Sequence, residues 1–296
     1  MSHRRLKGED PFLGTDLAHV QARDRCARRR RPCFSPPEVP MSLALPVFEN
    51  EGPPAEDYEG RPICCDTCPA RASGSSCQPR HACVQDRYAL RVDRFFRWNP
   101  RGTEAWLTHP YFEVRAIAAR FANVFRVAAL VSDPDETVRT SVALRVPHTI
   151  LRRMIDDPER EVRIRVAQRL PPPALVAMVR DEDYYVRVWV ARRLPLPLLM
   201  RMAEDPEREV RLEVARRLDP ARLALLASDP EAAVRRVVAE RGPSTILGVL
   251  ARDSDWAVRW EVAQRASVHL AQLLARDPEE EVSSAARARL KELGTD

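Results

Sequence analysis

A chain of 296 residues, 45% hydrophobic and 31% charged, can bury a sizeable core and is neither disordered nor collagen-like in composition. No apolar run approaches the roughly 20 residues that span a bilayer. The first thirty residues lack the apolar centre of a signal peptide, so the reading is a soluble protein of the reducing cytoplasm with no membrane contact. The net charge of +5 is unevenly placed: +4 over residues 1–40, −5 over 41–60, +5 over 61–102 and only +1 over 103–296, where 31 bases meet 30 acids. That near-neutral stretch argues against nucleic acid as the partner. Nearly all the bases are arginine, which in a chain also rich in Ala and Pro reflects GC-rich coding as readily as nucleic-acid binding.

Residues 1–60 read as a flexible extension. The first forty hold the basic run Arg28 to Arg31, bracketed by Cys26 and Cys33, with no sustained periodicity; an alternative has translation starting at Met41. Residues 41–60 are acidic and proline-rich, as a linker would be. Five of the seven cysteines then crowd between Cys64 and Cys83, and none follows. Next, Tyr88, Val92, Phe95 and Phe96 recur at helical spacing and predict a connecting helix that ends at Asn99, Pro100 and Gly102.

From about residue 103 the chain repeats every 24 residues. Aspartate stands at 133, 157, 181, 205, 229, 253 and 277, with His109 in its place at the start. Valine stands at 114 and at each 24-residue step to Val282, and arginine follows it from Arg115 to Arg259 until Ser283 breaks the column. The Asp column is expected to cap helices, with Pro at the first helical position where present. Val162, Val166, Ala167 and Leu170 mark one apolar face, and Pro171 stops the helix. Pairs such as Leu151 with Met154 and Leu175 with Met178 predict a short second piece, α-helical or 3₁₀. The arginine columns, both that from Arg115 to Arg259 and a second one (Arg145, Arg169, Arg193, Arg217, Arg241, Arg265), are expected to pair with acids of the same or adjacent copies. The fold class is therefore all-α, a helical solenoid of about eight repeats whose stacked copies bury what one copy cannot. Tyr184, Tyr185, Trp189, Trp256 and Trp260 interrupt the columns and mark a candidate protein-contact patch, with Trp189 equally readable as core.

The cysteine run offers Cys65, Cys68, Cys77 and Cys83 as four thiolates for a metal, with Cys64 as an alternative to Cys65. Four thiolates suit a [4Fe-4S] cluster. A zinc ion held by four cysteines, or by three with His81, is the rival. Arg61, Arg71, Arg80 and Arg87 lie close in sequence and would offset the cluster's charge, or form an ordinary solvated face. No phosphate loop, catalytic triad or radical-SAM cysteine motif is present, so a non-enzymatic protein is expected.

The DPxxxVRxxVAxRL unit at this spacing resembles the leucine-rich repeat variant, and the cysteine module ahead of it is similar to that of the iron–sulfur leucine-rich repeat variant proteins of nitrogen-fixing bacteria. The resemblance covers residues 61 to 296. It implies a [4Fe-4S] module with its connecting helix over 61–102 and, over 103–296, a right-handed solenoid of alternating α- and 3₁₀-helices. It also implies a protein partner in the nitrogenase system or its electron supply. The function expected is an interaction scaffold that senses redox state or passes an electron. A nucleic-acid-binding helical repeat and a zinc-stabilised scaffold are the alternatives.

Overall fold

The structure is a computed structural model that describes residues 53–295. The readings made for the first 52 residues, including Cys26, Cys33, the basic tail and a start at Met41, lie outside the described residues. The chain forms two compact units, one ending at Arg145 and the other starting at Val146. Among the described residues there is no named strand, only two isolated bridges, Glu56 with Pro62 and Gln78 with Ala82.

The first unit holds α1 (Pro69–Ala72), α2 (Ala89–Trp98), a 3₁₀ turn at Thr103–Trp106, α3 (Phe112–Phe121), α4 (Val124–Val127) and α5 (Glu136–Ala143). The second begins with α6 (His148–Leu151) and a 3₁₀ turn at Arg152–Met154, then α7 (Arg160–Arg169) and a 3₁₀ helix over Pro172–Met178. It continues through α8 (Tyr184–Arg193), α9 (Leu196–Leu199) with 3₁₀ Met200–Met202, and α10 (Arg208–Arg217) with 3₁₀ Pro220–Leu226. It ends with α11 (Ala232–Arg241), α12 (Ser244–Leu250), α13 (Trp256–Arg265), α14 (Val268–Leu274) and α15 (Glu280–Glu292). Each repeat is thus one long helix and one short α or 3₁₀ piece, stacked in register within its unit.

The apolar columns explain the stacking. Every valine from Val114 to Val282 in the 24-residue column is fully buried, as are Ala119, Ala143, Ala167, Ala191, Ala215, Ala239 and Ala263. Alanine at that position lets the next long helix approach closely. In the last copy the position is Arg287, which is exposed. The short pieces bury their i, i+3 pairs: Leu151 with Met154, Leu175 with Met178, Leu199 with Met202. Burying such side chains contributes about 1.5–3 kcal/mol each.

Four expectations from the sequence need correction. The column aspartates are not helix caps. Each long helix begins three residues later, and the flanking residue before it is Asp135, Asp183 or Asp255, whose side chain accepts from the first-turn amides, or a glutamate that makes no cap bond. The column Asp instead accepts the amide two residues on, as Asp205 does from Glu207 at 3.0 Å. With its two oxygens it also takes a bidentate pair from the arginine 18 residues earlier. Arg187 meets Asp205 at 2.8 and 3.0 Å. Arg163 with Asp181, Arg211 with Asp229, Arg235 with Asp253 and Arg259 with Asp277 repeat the pairing in the second unit, and Arg115 with Asp133 makes it in the first. The prolines lie in the turn ahead of the helix, not at its first position.

Among the described residues Arg145, Arg193, Arg217, Arg241 and Arg265 of the second arginine column form no ion pair with an acid. Their guanidinium groups donate to carbonyls at the end of the preceding long helix: Arg145 to Ala119 and Ala122, Arg193 to Ala167, Arg241 to Ala215 and Leu218, Arg265 to Gly242. Those carbonyls have no partner inside their own helix, and the helix dipole favours a cation there. Tyr88, expected on the buried face of the connecting helix, stands at its N-terminal boundary and is 42% exposed, while Val92, Phe95 and Phe96 are buried. Phe95 then meets Trp106 edge to face, and Phe96 stacks on Phe121 of α3, seating α2 against the first repeat.

Candidate metal centre: a thiol-lined cavity

The residues ahead of α2 carry little regular structure, and the local hydrogen bonds decide where each sulfur lies. The amide of Cys68 donates to the Cys65 carbonyl at 3.3 Å, closing a turn that brings those two side chains together. Cys68 then flanks the one-turn helix α1, with Pro69 at its first position. Gly74 (φ +74) reverses the chain, and the amide of Ser75 returns to the Ala70 carbonyl at 2.9 Å. Gln78 and Ala82 exchange amide bonds of 2.9 and 2.8 Å around Arg80, which adopts the left-handed conformation (φ 65). That narrow loop separates Cys77 from Cys83.

Two anchors hold these loops to α2, and the sequence reading had seen neither. Asn99, read only as a helix stop, accepts the Ser76 amide at 2.8 Å and donates to the Ser76 carbonyl at 2.7 Å and the Phe95 carbonyl at 2.8 Å. It therefore fixes the residue next to Cys77. Arg91 is 2% and Asp86 0% exposed; they pair at 2.9 Å, and Arg91 also donates to the Pro53 carbonyl at 2.6 Å. The Cys83 amide in turn donates to the Arg91 carbonyl at 3.1 Å. An arginine in a helix with an acid five residues earlier is too common a pattern to announce such a clamp.

Cys65, Cys68, Cys77 and Cys83 line one cavity of about 220 Å³, closed by Ile63, Ala70, Pro79, Val84 and Phe95. Cys64 is not among its walls. Cys65, Cys68 and Cys83 are buried and Cys77 is half-buried. The His81 ring lies against Trp98 at 5.4 Å and not on the cavity. Among the described residues no three His, Cys, Asp or Glu side chains converge on a single ion. Four soft sulfurs dominate the donors, with the Ser75 hydroxyl beside them, and the space is many times the roughly 10–15 Å³ that lodges one water. The residues therefore fit a multi-iron group held by thiolates.

Electrostatics favour the protonated form of two of the four thiols, Cys77 and Cys83. Burial pushes the Cys83 thiol up to about 12; its backbone hydrogen bond at Gln85 opposes the rise, and Cys68, Asp86 and Cys65 add to it. Burial and Cys68 also raise Cys77, against the lowering effect of Arg71. Metal binding to such thiols must release protons. Of the four arginines expected around the site, Arg71 is on the cavity wall. Arg61 pairs with Asp57 and Glu59, Arg87 pairs with Glu56 at 2.8 Å, and Arg80 is exposed.

The candidate patch on the repeats is placed as follows. Tyr184, Tyr185 and Trp256 are exposed, and Trp189 and Trp260 are half-buried. The Arg192 guanidinium sits over the Trp189 ring at 5.1 Å. No helix among the described residues is long and apolar enough to cross a membrane.

Comparison with known proteins gives these likenesses. Residues 55–103 match the family model described as LRV protein FeS4 cluster, and residues 184–207 match the leucine rich repeat variant model. The chain is 43% identical over 99 residues to a protein of Rhodobacter capsulatus described as an uncharacterized 27.7 kDa protein in the nifB 3' region. That match spans 33% of this chain and only 40% of the relative. A solved structure described as a leucine-rich repeat variant with a novel repetitive protein structural motif is 40% identical. It superposes with a TM-score of 0.72 over 77% of this chain and 99% of that one.

Proposed function

The chain belongs to the leucine-rich repeat variant family, and from that premise we propose that it is an interaction scaffold whose cysteine module carries a [4Fe-4S] cluster. The observation that carries this reading is the single cavity lined by Cys65, Cys68, Cys77 and Cys83, with sulfur as its dominant ligand type. A cluster bound there would supply reversible one-electron chemistry. The protein's own contribution is to hold four thiols on anchored loops, to wall them with Phe95, Ile63 and Val84, and to set the Arg71 cation beside the negative charge they would share. We favour iron–sulfur over zinc because a closed zinc site needs four donors within about 2.3 Å of one centre, and His81 faces away. The repeats are read as the partner-binding part, without catalytic activity. The partner is assigned to the nitrogen-fixation system, on the family resemblance and on the nifB 3' region named for the Rhodobacter relative.

Anaerobic purification followed by absorption, iron, sulfide and zinc analysis tests this reading. A broad band near ~400 nm with about four iron and four sulfide per chain is expected. Serine in place of Cys65, Cys68, Cys77 or Cys83 should each remove most of the iron, whereas Cys64→Ser should keep it. One zinc and no colour would leave a structural clip instead. Iron lost on Cys64→Ser but kept on Cys65→Ser would reverse the ligand assignment.

A further inference from the structure

Helix α2 has an outer face that the packing against the first repeat does not use. Leu90, Arg94 and Trp98 recur every four residues, so they share one stripe of the helix. Leu90 is 51% and Trp98 44% exposed, whereas Arg91, Val92, Phe95 and Phe96 on the other side are buried. A solitary exposed leucine needs no explanation, but a tryptophan beside it, with an arginine between, has the composition of an interaction hot spot. Trp98 also touches the metal module. Its ring meets His81, which stands between Cys77 and Cys83, and the next residue, Asn99, anchors the backbone beside Cys77.

The charge around this stripe is one-sided. Arg61, Arg87, Arg91 and Arg97 are each ion-paired. Arg71, Arg80 and Arg94 have no ion pair among the described residues; Arg71 and Arg80 are exposed and Arg94 half-exposed. Guanidinium groups without an acid partner among the described residues, beside an apolar centre, complement an acidic protein surface, and such charges act mainly by steering the encounter and fixing its orientation. Two cations, Arg94 on the stripe and Arg80 next to His81, beside a tryptophan and a leucine fit a protein better than nucleic acid, whose recognition calls for an extended row of phosphate contacts.

We infer that the face formed by Leu90, Arg94 and Trp98 of α2 with Arg80 and His81 of the loop between Cys77 and Cys83 is the docking site of an acidic one-electron carrier protein. The inference deepens the iron–sulfur reading, because a carrier seated on Trp98 lies against the loop that bears two of the four thiols. A face distant from the thiols would be an ordinary interaction patch; this one abuts them.

The experiment is titration calorimetry of the full anaerobically purified chain with a ferredoxin chosen for its acidic surface, at 50 and 500 mM salt. A one-to-one complex is expected, weakening about tenfold or more at the higher salt. Trp98→Ala and Arg94→Glu should each weaken it about tenfold at low salt, and Tyr184→Ala should not. Trp98 is exposed and Arg94 only half-buried, so an unchanged circular dichroism spectrum is expected to accompany the loss. No complex at low salt, or one indifferent to both substitutions, overturns the inference. Binding of duplex DNA that both substitutions abolish, with none of the ferredoxin, also overturns it and assigns the face to nucleic acid. The colour of the same samples reports the cluster separately. A coloured chain that fails to bind sinks the docking face alone. A colourless chain that binds with the expected salt and variant dependence sinks the iron–sulfur reading and keeps the face.

Discussion

The column aspartate does two jobs with two oxygens, and substitutions can separate them. In Asp205, Oδ1 holds the turn by accepting the Glu207 amide, and both oxygens face Arg187, itself 8% exposed. Arg187 also donates to the carbonyls of Asp181 and Glu182, so it ties one repeat's turn to the next. Removing one partner of a buried pair strands the other charge, which costs about 3–5 kcal/mol. Asp205→Ala should therefore destabilise by about 3 kcal/mol in urea unfolding. Asp205→Asn keeps the turn acceptor at Oδ1 but loses the charge and one of the two acceptors facing Arg187, so its saving relative to Asp205→Ala measures the turn bond. Equal losses for the two variants would mean that the ion pair, and not the turn, carries the energy. The arginine column breaks at Ser283. Ser283 is 5% exposed and bonds the Glu280 carbonyl.

At the scale of an element, α2 is a hinge between two kinds of structure: its buried face packs on the first repeat while its C-terminal end holds the cysteine loops. Asn99 makes the second attachment through two bonds to Ser76. Asn99→Ala should leave the repeats' unfolding transition within about 1–2 kcal/mol of the parent, since it removes a few partly exposed hydrogen bonds. It should nonetheless speed loss of iron to a chelator severalfold, by releasing the backbone next to Cys77. Iron loss at the parental rate would show that the loop holds itself. The element scale is also where the sequence was most and least legible. Val114 through Val282 and the i, i+3 pairs such as Leu175 with Met178 announced the long and short pieces, because burial imposes a period that a single chain displays. Asp133 through Asp277 announced only that something recurs. Capping and ion pairing both select aspartate, and the partner that decides between them lies 18 residues away, outside any local pattern. Cys65, Cys68, Cys77 and Cys83 were legible as a set from spacing, but which of Cys64 and Cys65 faces inward depends on the turn closed by the Cys68 amide.

For the whole molecule, the repetition multiplies each such detail. Stability in a repeat protein is close to a sum of copies and their neighbouring interfaces, so the pH-dependent terms at the rungs of Asp133, Asp253 and Asp277 add. Asp133 and Asp253 are opposed by burial, yet the hydrogen bonds from Arg115 and Arg235 and from the turn amides outweigh it and hold both carboxyls below the usual range. At Asp277 the Arg259 hydrogen bond is the leading cause of the same lowering. A carboxyl depressed in the folded state binds fewer protons there than in the unfolded chain, so stability rises with pH between the two values. Its contribution is complete above the unfolded value of about 3.9 and is lost as pH falls through the lower folded one. Urea midpoints should therefore stay level from about pH 5 to 7 and drop steeply below about pH 4. In a variant with Asp253→Asn and Asp277→Asn the midpoint should start lower and the drop should be shallower. A midpoint that holds from pH 5 to 3, or a variant that falls as steeply as the parent, would remove the arginine–aspartate ladder as the source of acid sensitivity. The cysteine module would then be the next place to look, since protonation of its thiols ejects a bound metal over a different pH range from the carboxyl titration.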